Sequence, residues 1–197
     1  MNRVKAAIFA SGTGSNFQAI TEKASADQLG CEIVLLVCDQ PDAPVVSLAK
    51  QYKLPVFTFY PKNYSGKQAY EEKLKSRLQE LGVEWIFLAG YMRIIGNTLI
   101  EAYPGRIVNI HPSLLPEFPG KDAIGQAYDA NVSRTGITVH YVDTGVDTGP
   151  IIEQISIPIE HDDTKETLKQ RIQQAEHDFY PNVIYQLINS GSTNANL

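Results

Sequence analysis

The sequence predicts an α/β fold: an open, mostly parallel twisted sheet with helices on both faces. Two observations lead to this prediction. Short apolar runs alternate along the chain with longer stretches of helical periodicity. Most of the short runs are apolar throughout, which is typical of parallel strands covered on both faces. The length of 197 residues predicts one domain at residues 1–189, followed by a flexible tail at residues 190–197.

The first half of the chain predicts four strand and helix pairs. The strands are VKAAIFA (4–10), CEIVLLVCD (31–39), PVFTF (55–59) and VEWIFLAG (83–90), because each is a short apolar run. The helices lie at residues 15–28, 42–53, 67–81 and 98–103, and the third of them is strongly amphipathic. This regular alternation is what predicts a parallel sheet.

The second half predicts strands at RIVNI (106–110), GITVHYVD (136–143) and PIIEQISIPI (150–159). Helices follow from the patterns at residues 123–130 and 164–189. The spacing of Asp163 and Glu166 resembles a capping box at the start of the closing helix. Pro181 should kink or interrupt that helix, because proline lacks the backbone N–H that the helix needs.

Composition excludes several classes of protein. The 17 basic and 22 acidic residues form no Lys/Arg cluster, which argues against general binding to nucleic acid or an anionic membrane. No leader pattern opens the sequence and no apolar run reaches membrane-spanning length, so a cytoplasmic location is expected. Cys31 and Cys38 have no nearby His pair, so we expect buried thiols and no metal.

Ligands of open α/β sheets bind beyond the carboxyl ends of the strands, so functional residues are expected in the segments that follow strands. The first is ASGTGSNF (10–17), where a glycine-containing loop opens a helix and its N–H groups would face an anion. A phosphate site is therefore predicted here. A dinucleotide site is the alternative, with Asp39 as its ribose acid, but Phe17 stands where that motif needs glycine. A plain chain reversal is the third interpretation.

The second segment is RIVNIHPSLLPEFPG (106–120). Asn109 and His111 lie two residues apart and should project to the same side of their strand, while Pro112 keeps His111 out of the helical region. An amide and an imidazole side by side can hold an oxygen that becomes negative in a transition state. A capped strand end with a satisfied histidine is the alternative. A cis Leu115–Pro116 bond is a minority possibility.

The third segment is VDTGVDTGPI (142–151), which carries Asp143 and Asp147. Acids in such loops usually bond only to the nearby backbone. Because this loop should lie at the same edge of the sheet, one of the two is also a candidate partner for His111, where it would favour the protonated ring.

Together with LAGYMRIIG and QQAEHDFYP, these segments carry a resemblance over nearly the whole chain. The sequence resembles the phosphoribosylglycinamide formyltransferases of purine synthesis. The resemblance implies transfer of a formyl group from 10-formyltetrahydrofolate, a co-substrate, to the primary amine of glycinamide ribonucleotide. It implies small-molecule substrates, no metal, no nucleic acid or membrane partner, and a monomer or homodimer.

The resemblance also assigns residues. The catalytic residues would be Asn109, His111 and Asp147, and the ribonucleotide phosphate would meet Gly14, Ser15 and Asn16. The ribonucleotide would also meet Gln173, Gln174, Ala175 and Glu176, with Glu176 near its amine. The folate would meet Lys67, Met92, Arg93, Ile94, Ile95, Asn109, Asp143, Thr144, Gly145, Val146 and Asp147. Lys67 stands where many members carry arginine, so it keeps the charge but loses the bidentate fork. The segment GKDAIGQ (120–126) lacks the histidines and arginine of some relatives, and no role is assigned to it.

The chemistry agrees with this assignment. An amine that attacks a formyl carbonyl creates an oxyanion, and donors such as Asn109 and protonated His111 would stabilise it. Cys38 is the only thiol near a strand end, and nothing around it in the sequence predicts the thiolate that a formyl-enzyme would need. The remaining alternatives are another folate-dependent formyltransferase or formyl-folate hydrolase, a dinucleotide-binding oxidoreductase, and a nucleotide sensor without catalysis.

Overall fold

The computed structural model describes residues 3–190 and contains a single seven-stranded sheet. Its strands are β1 (Val4–Phe9), β2 (Cys31–Cys38), β3 (Val56–Thr58), β4 (Trp85–Leu88), β5 (Ile107–His111), β6 (Arg134–Tyr141) and β7 (Ile151–Pro158). The helices are α1 (Ser15–Ser25), α2 (Pro44–Gln51), α3 (Lys67–Glu80), α4 (Asn97–Ala102), α5 (Ala123–Asp129) and α6 (Lys165–Ser190), with a short 3-10 turn at Pro61–Asn63.

The strand order is β3-β2-β1-β4-β5-β6-β7. The first five strands pair in parallel, whereas β6 and β7 pair antiparallel at the end of the sheet. The predicted open, mostly parallel sheet is therefore confirmed. The strand order turns back at β1, whose neighbours are β2 on one side and β4 on the other, and a crevice forms where the loops after β1 and β4 diverge.

Two apolar cores cover the two faces of the sheet, as the uniformly apolar strands predict. Alternate residues of each strand point to opposite faces, so Ala6 and Ile8 join one core while Ala7 and Phe9 join the other. The first core packs against α1, α2 and α6, and the second packs against α3 and α4. Among residues 3–190, no helix has the length and apolarity needed to cross a membrane.

The start of α6 differs from the prediction. Thr164 and Thr167 form the reciprocal cap, because each accepts a backbone N–H of the other through its hydroxyl, at 3.2 and 2.9 Å. Asp163 instead accepts from Glu160 N and from the Arg171 guanidinium. The predicted pairing of Asp163 with Glu166 is wrong, because the Asp163 carboxylate binds Arg171, which lies two helical turns further along the chain.

The helix α6 is continuous through Pro181, so the predicted interruption does not occur. Pro181 is buried between the buried residues Tyr180 and Val183. Packing of this segment on the sheet outweighs the lost backbone hydrogen bond. Beyond Ser190, the predicted tail lies outside the described residues.

Tyr180 fastens α6 to the middle of the sheet. Its side chain is fully buried, and its hydroxyl lies 3.0 Å from both the Leu88 and the Val108 carbonyl oxygens. These carbonyls belong to β4 and β5, the two strands whose ends carry the central part of the cleft described below. One buried hydroxyl thus fixes the position of the helix relative to both strands.

We expect Tyr180→Phe to lower the free energy of unfolding by about 1–3 kcal/mol, because two buried carbonyl oxygens lose their donor. Urea denaturation followed by circular dichroism measures this loss. Tyr185→Phe is the matched control, since Tyr185 lies on the same helix with half of its surface exposed. Equal stability of the two variants would contradict the role given to the Tyr180 hydroxyl.

Candidate active site

A cleft of about 1000 Å³ opens at the carboxyl ends of the central strands. The loops after β1, β4, β5 and β6 line it, together with one face of α6. The lining includes most of the residues that the sequence predicts, namely Gly14, Ser15, Asn16, Met92, Arg93, Ile94, Ile95, Asn109, His111, Asp143, Gly145, Val146, Asp147, Gln173 and Glu176. The fold thus gathers segments that are far apart in sequence, and Asn16 and Glu176, which are 160 residues apart, are hydrogen-bonded to each other.

Strand β5 presents Asn109 and His111 to this cleft, as period-two alternation predicts. Asn109 is half-buried and His111 is buried. In the antiparallel pairing with β6, Asn109 lies directly opposite His140, and the Asn109 Nδ2 is 3.2 Å from the His140 Nε2.

The carboxylate of Asp147 joins the polar groups at the floor of the cleft. Oδ2 accepts the Gly120 backbone N–H at 2.8 Å and lies 3.3 Å from His111 Nδ1. Oδ1 lies 3.5 Å from Asn109 Nδ2 and 3.6 Å from His140 Nε2. Burial by itself raises the pKa of Asp147, but the contacts with His140, Gly120 and His111 outweigh it, so the pKa is lowered.

The imidazole of His111 faces an acceptor at each nitrogen. Nε2 lies 2.8 Å from the Phe118 carbonyl oxygen, and Nδ1 lies beside Asp147. A neutral ring can donate from only one nitrogen, whereas the imidazolium donates from both. The geometry therefore suits a protonated His111.

His140 is a site residue that sequence reasoning missed. It is buried, its Nδ1 donates to the Tyr141 carbonyl oxygen at 2.8 Å, and its Nε2 lies 3.2 Å from Asn109 Nδ2 and 3.6 Å from Asp147 Oδ1. His140 therefore orients Asn109. In β6, Thr138 and His140 alternate with apolar residues, which indicates a polar side of that strand. This pattern could have pointed to His140, but the sequence alone does not reveal the register of β6 with β5.

The loop after β1 has the properties of an anion site. Gly14 has a φ of 85°, and α1 begins after it with no side chain capping its first turn. The first N–H groups of the helix are therefore free of intrahelical partners beside the cleft. A Cβ at Gly14 would lie 2.6 Å from Val45 Cγ2, so this position needs glycine for the close approach as well as for its backbone angle.

The side chain of Asn16 is buried, and its Nδ2 donates to Glu176 Oε2 at 2.8 Å. Desolvation raises the pKa of Glu176 to about 7, although the Asn16 bond opposes the shift. On α6, Gln173 and Glu176 line the cleft because they are three residues apart on one face. Gln174 and Ala175 do not line it: Gln174 is exposed and Ala175 packs against the core.

The remaining predicted residues divide into three groups. Met92 and Ile94 are exposed apolar side chains in the cleft, where Val146 lies exposed as well. Asp143 accepts from Gly145 N and Thr148 Oγ1, so it shapes its own loop, and Thr144 is exposed outside the lining. Lys67 lines a separate groove between α3 and α4.

The segment to which no role was assigned also contributes to the site. Gly120 N holds Asp147, and Lys121 to Gly125 line the cleft. The preceding Leu115–Pro116 bond is cis, the outcome given only minority weight. Within residues 3–190, no group of three or more metal-binding side chains is positioned to hold a metal ion.

Two alternatives disagree with the geometry. Asp39 is buried, and its oxygens bind Ser11 and Arg93, so it is not available to a ribose as a dinucleotide site would require. Burial raises the pKa of the Cys38 thiol, which donates to the Gln40 carbonyl oxygen. A ready thiolate for a formyl-enzyme is therefore not formed.

Comparison with known proteins identifies the family. The formyl transferase family model matches residues 4–184. The chain belongs to the formyl transferase family. It is 54% identical over 184 residues to a phosphoribosylglycinamide formyltransferase of Bacillus subtilis, covering 93% of this chain and 94% of that protein. It is 39% identical to a trifunctional purine biosynthetic protein of Drosophila melanogaster, of which it spans only 14%.

Solved structures of the family agree with this assignment. A phosphoribosylglycinamide formyltransferase from Bacillus halodurans superposes with a TM-score of 0.93 at 50% identity, covering 98% of this chain and all of that one. A glycinamide ribonucleotide transformylase from Geobacillus kaustophilus matches with the same TM-score at 53% identity, covering 95% of this chain and all of that one.

The raised pKa of Glu176 predicts a specific pH dependence of stability. Between pH 4.5, which is the ordinary pKa of a glutamate, and about pH 7, the carboxyl group of Glu176 binds a proton more tightly in the folded chain than in the unfolded chain. The stabilisation that protonated Glu176 contributes is present below pH 4.5 and is lost as the pH rises through 7. Glu176→Gln should therefore gain stability relative to wild type over this range, by on the order of 3 kcal/mol at most.

Urea denaturation at pH 4.5, 6 and 7.5 measures this difference. Glu166→Gln provides the control, because Glu166 is exposed in the first turn of the same helix. Stability curves for Glu176→Gln that run parallel to wild type across this pH range would contradict burial as the cause.

Proposed function

We propose that this chain transfers the formyl group of 10-formyltetrahydrofolate to the amine of glycinamide ribonucleotide, a step of purine biosynthesis. The observation that carries this conclusion is the 54% identity to a phosphoribosylglycinamide formyltransferase over nearly the full length of both chains. The arrangement of Asn109, His111 and Asp147 at the floor of the cleft is chemically suited to this reaction.

The two substrates are assigned to opposite ends of the cleft. The ribonucleotide phosphate binds the uncapped N–H groups of Ser15 and Asn16 after Gly14, and Gln173 and Glu176 meet the rest of that substrate. The folate ring binds between residues 92–95 and the loop at residues 143–147, where Met92, Ile94 and Val146 offer apolar surface. Lys67 is assigned to the far end of the folate, outside the main cleft.

The reaction proceeds by direct attack. The amine nitrogen forms a bond to the formyl carbon, and the carbonyl oxygen becomes an oxyanion. Asn109 Nδ2 and His111 Nδ1 converge on Asp147, so an oxyanion beside them receives hydrogen bonds from both. Their contacts with Asp147, 3.5 Å for Asn109 and 3.3 Å for His111, are long, so these donors can turn to a substrate oxygen at modest cost.

Collapse of the intermediate breaks the bond between the formyl carbon and N10 of the folate. The proton that the amine loses must reach that nitrogen as it leaves. Asp147 is ionised at neutral pH because its pKa is lowered, so it can hold the His111 imidazolium and relay the proton through water. His140 keeps the Asn109 amide in position during these steps.

The activity is tested by following folate deformylation by absorbance, with and without glycinamide ribonucleotide. We expect a rate that requires the ribonucleotide. A rate independent of the ribonucleotide would indicate a formyl-folate hydrolase instead, and absence of any rate would overturn the proposal.

The phosphate assignment predicts an effect at Gly12. A Cβ at Gly12 would meet nothing within 4 Å, whereas one at Gly14 would strike Val45, so Gly12→Val adds bulk at the anion site without disturbing the fold. We expect this variant to raise the KM for the ribonucleotide about tenfold or more, with the KM for the folate unchanged. Steady-state kinetics with each substrate varied measure this, and Gly12→Ala should give a smaller effect. A similar rise in both KM values would refute the assignment.

The proposed pairing of His111 with Asp147 predicts non-additive losses. Asp147→Asn and His111→Ala should each lower kcat by roughly 10²–10³. Because both act on one oxyanion donor, the double variant should be little slower than His111→Ala alone. Single-turnover rates of the three variants decide this, and losses that multiply would assign Asp147 to loop structure only.

We also propose that residues 1–189 act as a single domain, that the enzyme is cytoplasmic, and that it is a monomer or homodimer. Light scattering of the purified protein distinguishes the two oligomeric states.

A further inference from the structure

Beneath the cleft, a buried carboxylate connects three strand ends. Asp39 immediately follows β2 and is 1% exposed. Its Oδ1 accepts the Ser11 hydroxyl at 2.5 Å, and its Oδ2 accepts Arg93 Nε at 2.9 Å. Ser11 follows β1, and Arg93 lies in the loop after β4. One side chain thus binds the segments that follow two other strands, β1 and β4.

The connection continues into the backbone of the loop after β4. The oxygen of the Ser11 hydroxyl accepts the Met92 N–H at 2.9 Å while its hydrogen is donated to Asp39. Ser11 N also donates to the Gly90 carbonyl oxygen at 3.1 Å. Asp39 therefore determines the orientation of Ser11, and Ser11 in turn holds Met92.

Arg93 is held from two sides. Its Nε donates to Asp39, and its guanidinium also interacts electrostatically with Tyr70 of α3. The guanidinium keeps 38% of its surface exposed, whereas the Asp39 carboxylate keeps 2%. The contact with Asp39 joins two opposite charges at 2.9 Å, whereas Tyr70 is neutral, so Asp39 is the stronger restraint on this loop.

We infer that Asp39 is a positioning residue for folate: through Ser11 and Arg93 it holds the backbone of residues 92–95 in the conformation that receives the pterin. This inference rests on the proposed function, which assigns residues 92–95 to folate. Asp39 does not touch the substrate, since both of its oxygens are occupied and its side chain is buried. We expect its effect mainly on the folate, because the residues assigned to the phosphate, Gly14 to Asn16, do not bond to Asp39, and neither does α6.

The test replaces Asp39 with the isosteric Asn. Asn replaces one of the two carboxylate oxygens with an NH2 donor, and Ser11 and Arg93 donate to different oxygens, so one of the two bonds is lost. We expect Asp39→Asn to raise the KM for 10-formyltetrahydrofolate, and the Kd for tetrahydrofolate measured by calorimetry, about tenfold. The KM for the ribonucleotide should change less than twofold. A purely structural role would not raise the folate KM selectively over the ribonucleotide KM.

Asp42→Asn is the matched control. Asp42 lies three residues further along the same loop, is exposed, and accepts only the Tyr60 hydroxyl. It should leave both KM values at those of wild type. Ser11→Ala breaks the same connection at its middle, and it should raise the folate KM to a similar extent and add little to Asp39→Asn.

Hydrogen exchange of the Met92 amide gives a readout that needs no substrate. Asp39→Asn and Ser11→Ala should both speed its exchange about tenfold or more, while Asp42→Asn should not. Wild type that fails to bind tetrahydrofolate would overturn the proposed function, and this inference with it. Wild type that binds folate, together with Asp39→Asn and Ser11→Ala variants of unchanged folate Kd and Met92 exchange, would overturn the inference alone.

Discussion

The carboxylate of Asp147 is the interaction on which the geometry of the site depends. Its two oxygens meet groups from β5, from β6 and from the loop between them, through His111, Asn109, His140 and Gly120. A buried carboxylate is costly unless several donors surround it, and here they lower its pKa despite the burial. The charge that Asp147 keeps in turn organises two histidines and an amide for a reaction in which negative charge develops on oxygen.

The long helix α6 serves the core and the cleft with different faces. Leu168, Ile172 and Tyr180 are buried against the sheet, while Gln173 and Glu176 turn to the cleft. The Tyr180 hydroxyl couples the helix to the backbone of β4 and β5, whose carboxyl ends line the cleft. Packing energy therefore positions the cleft-facing residues of α6, and the same packing keeps α6 continuous through Pro181.

A family resemblance and a physical argument explain different parts of the site. Similarity to known formyltransferases identifies the reaction and the family. It does not explain why Asn109 is held, which follows from its position opposite His140 in an antiparallel pair. It also does not explain what holds residues 92–95, for which Asp39 and Ser11 provide the visible connection.

Several site residues were predictable because their signals are local. Period-two alternation puts Asn109 and His111 on one side of a strand, and a glycine loop before a helix indicates an anion site wherever it occurs. The direction in which each side chain of a helix points was harder to predict. All four residues of QQAE (173–176) were expected at the ribonucleotide, yet only Gln173 and Glu176 line the cleft. The rotation of a helix about its axis depends on the elements that it packs against, and a short sequence segment does not contain this information.

The sequence by itself determined the alternation of strands and helices, the uniformly apolar strands that require cover on both faces, and the polar residues at strand ends. These properties depend on neighbours along the chain. Only the tertiary structure decided that His140 orients Asn109 and that Asp39 is buried beneath the loop after β4. Each of these depends on strand register or on which strands become neighbours, and those are settled when distant segments bury their apolar surface together.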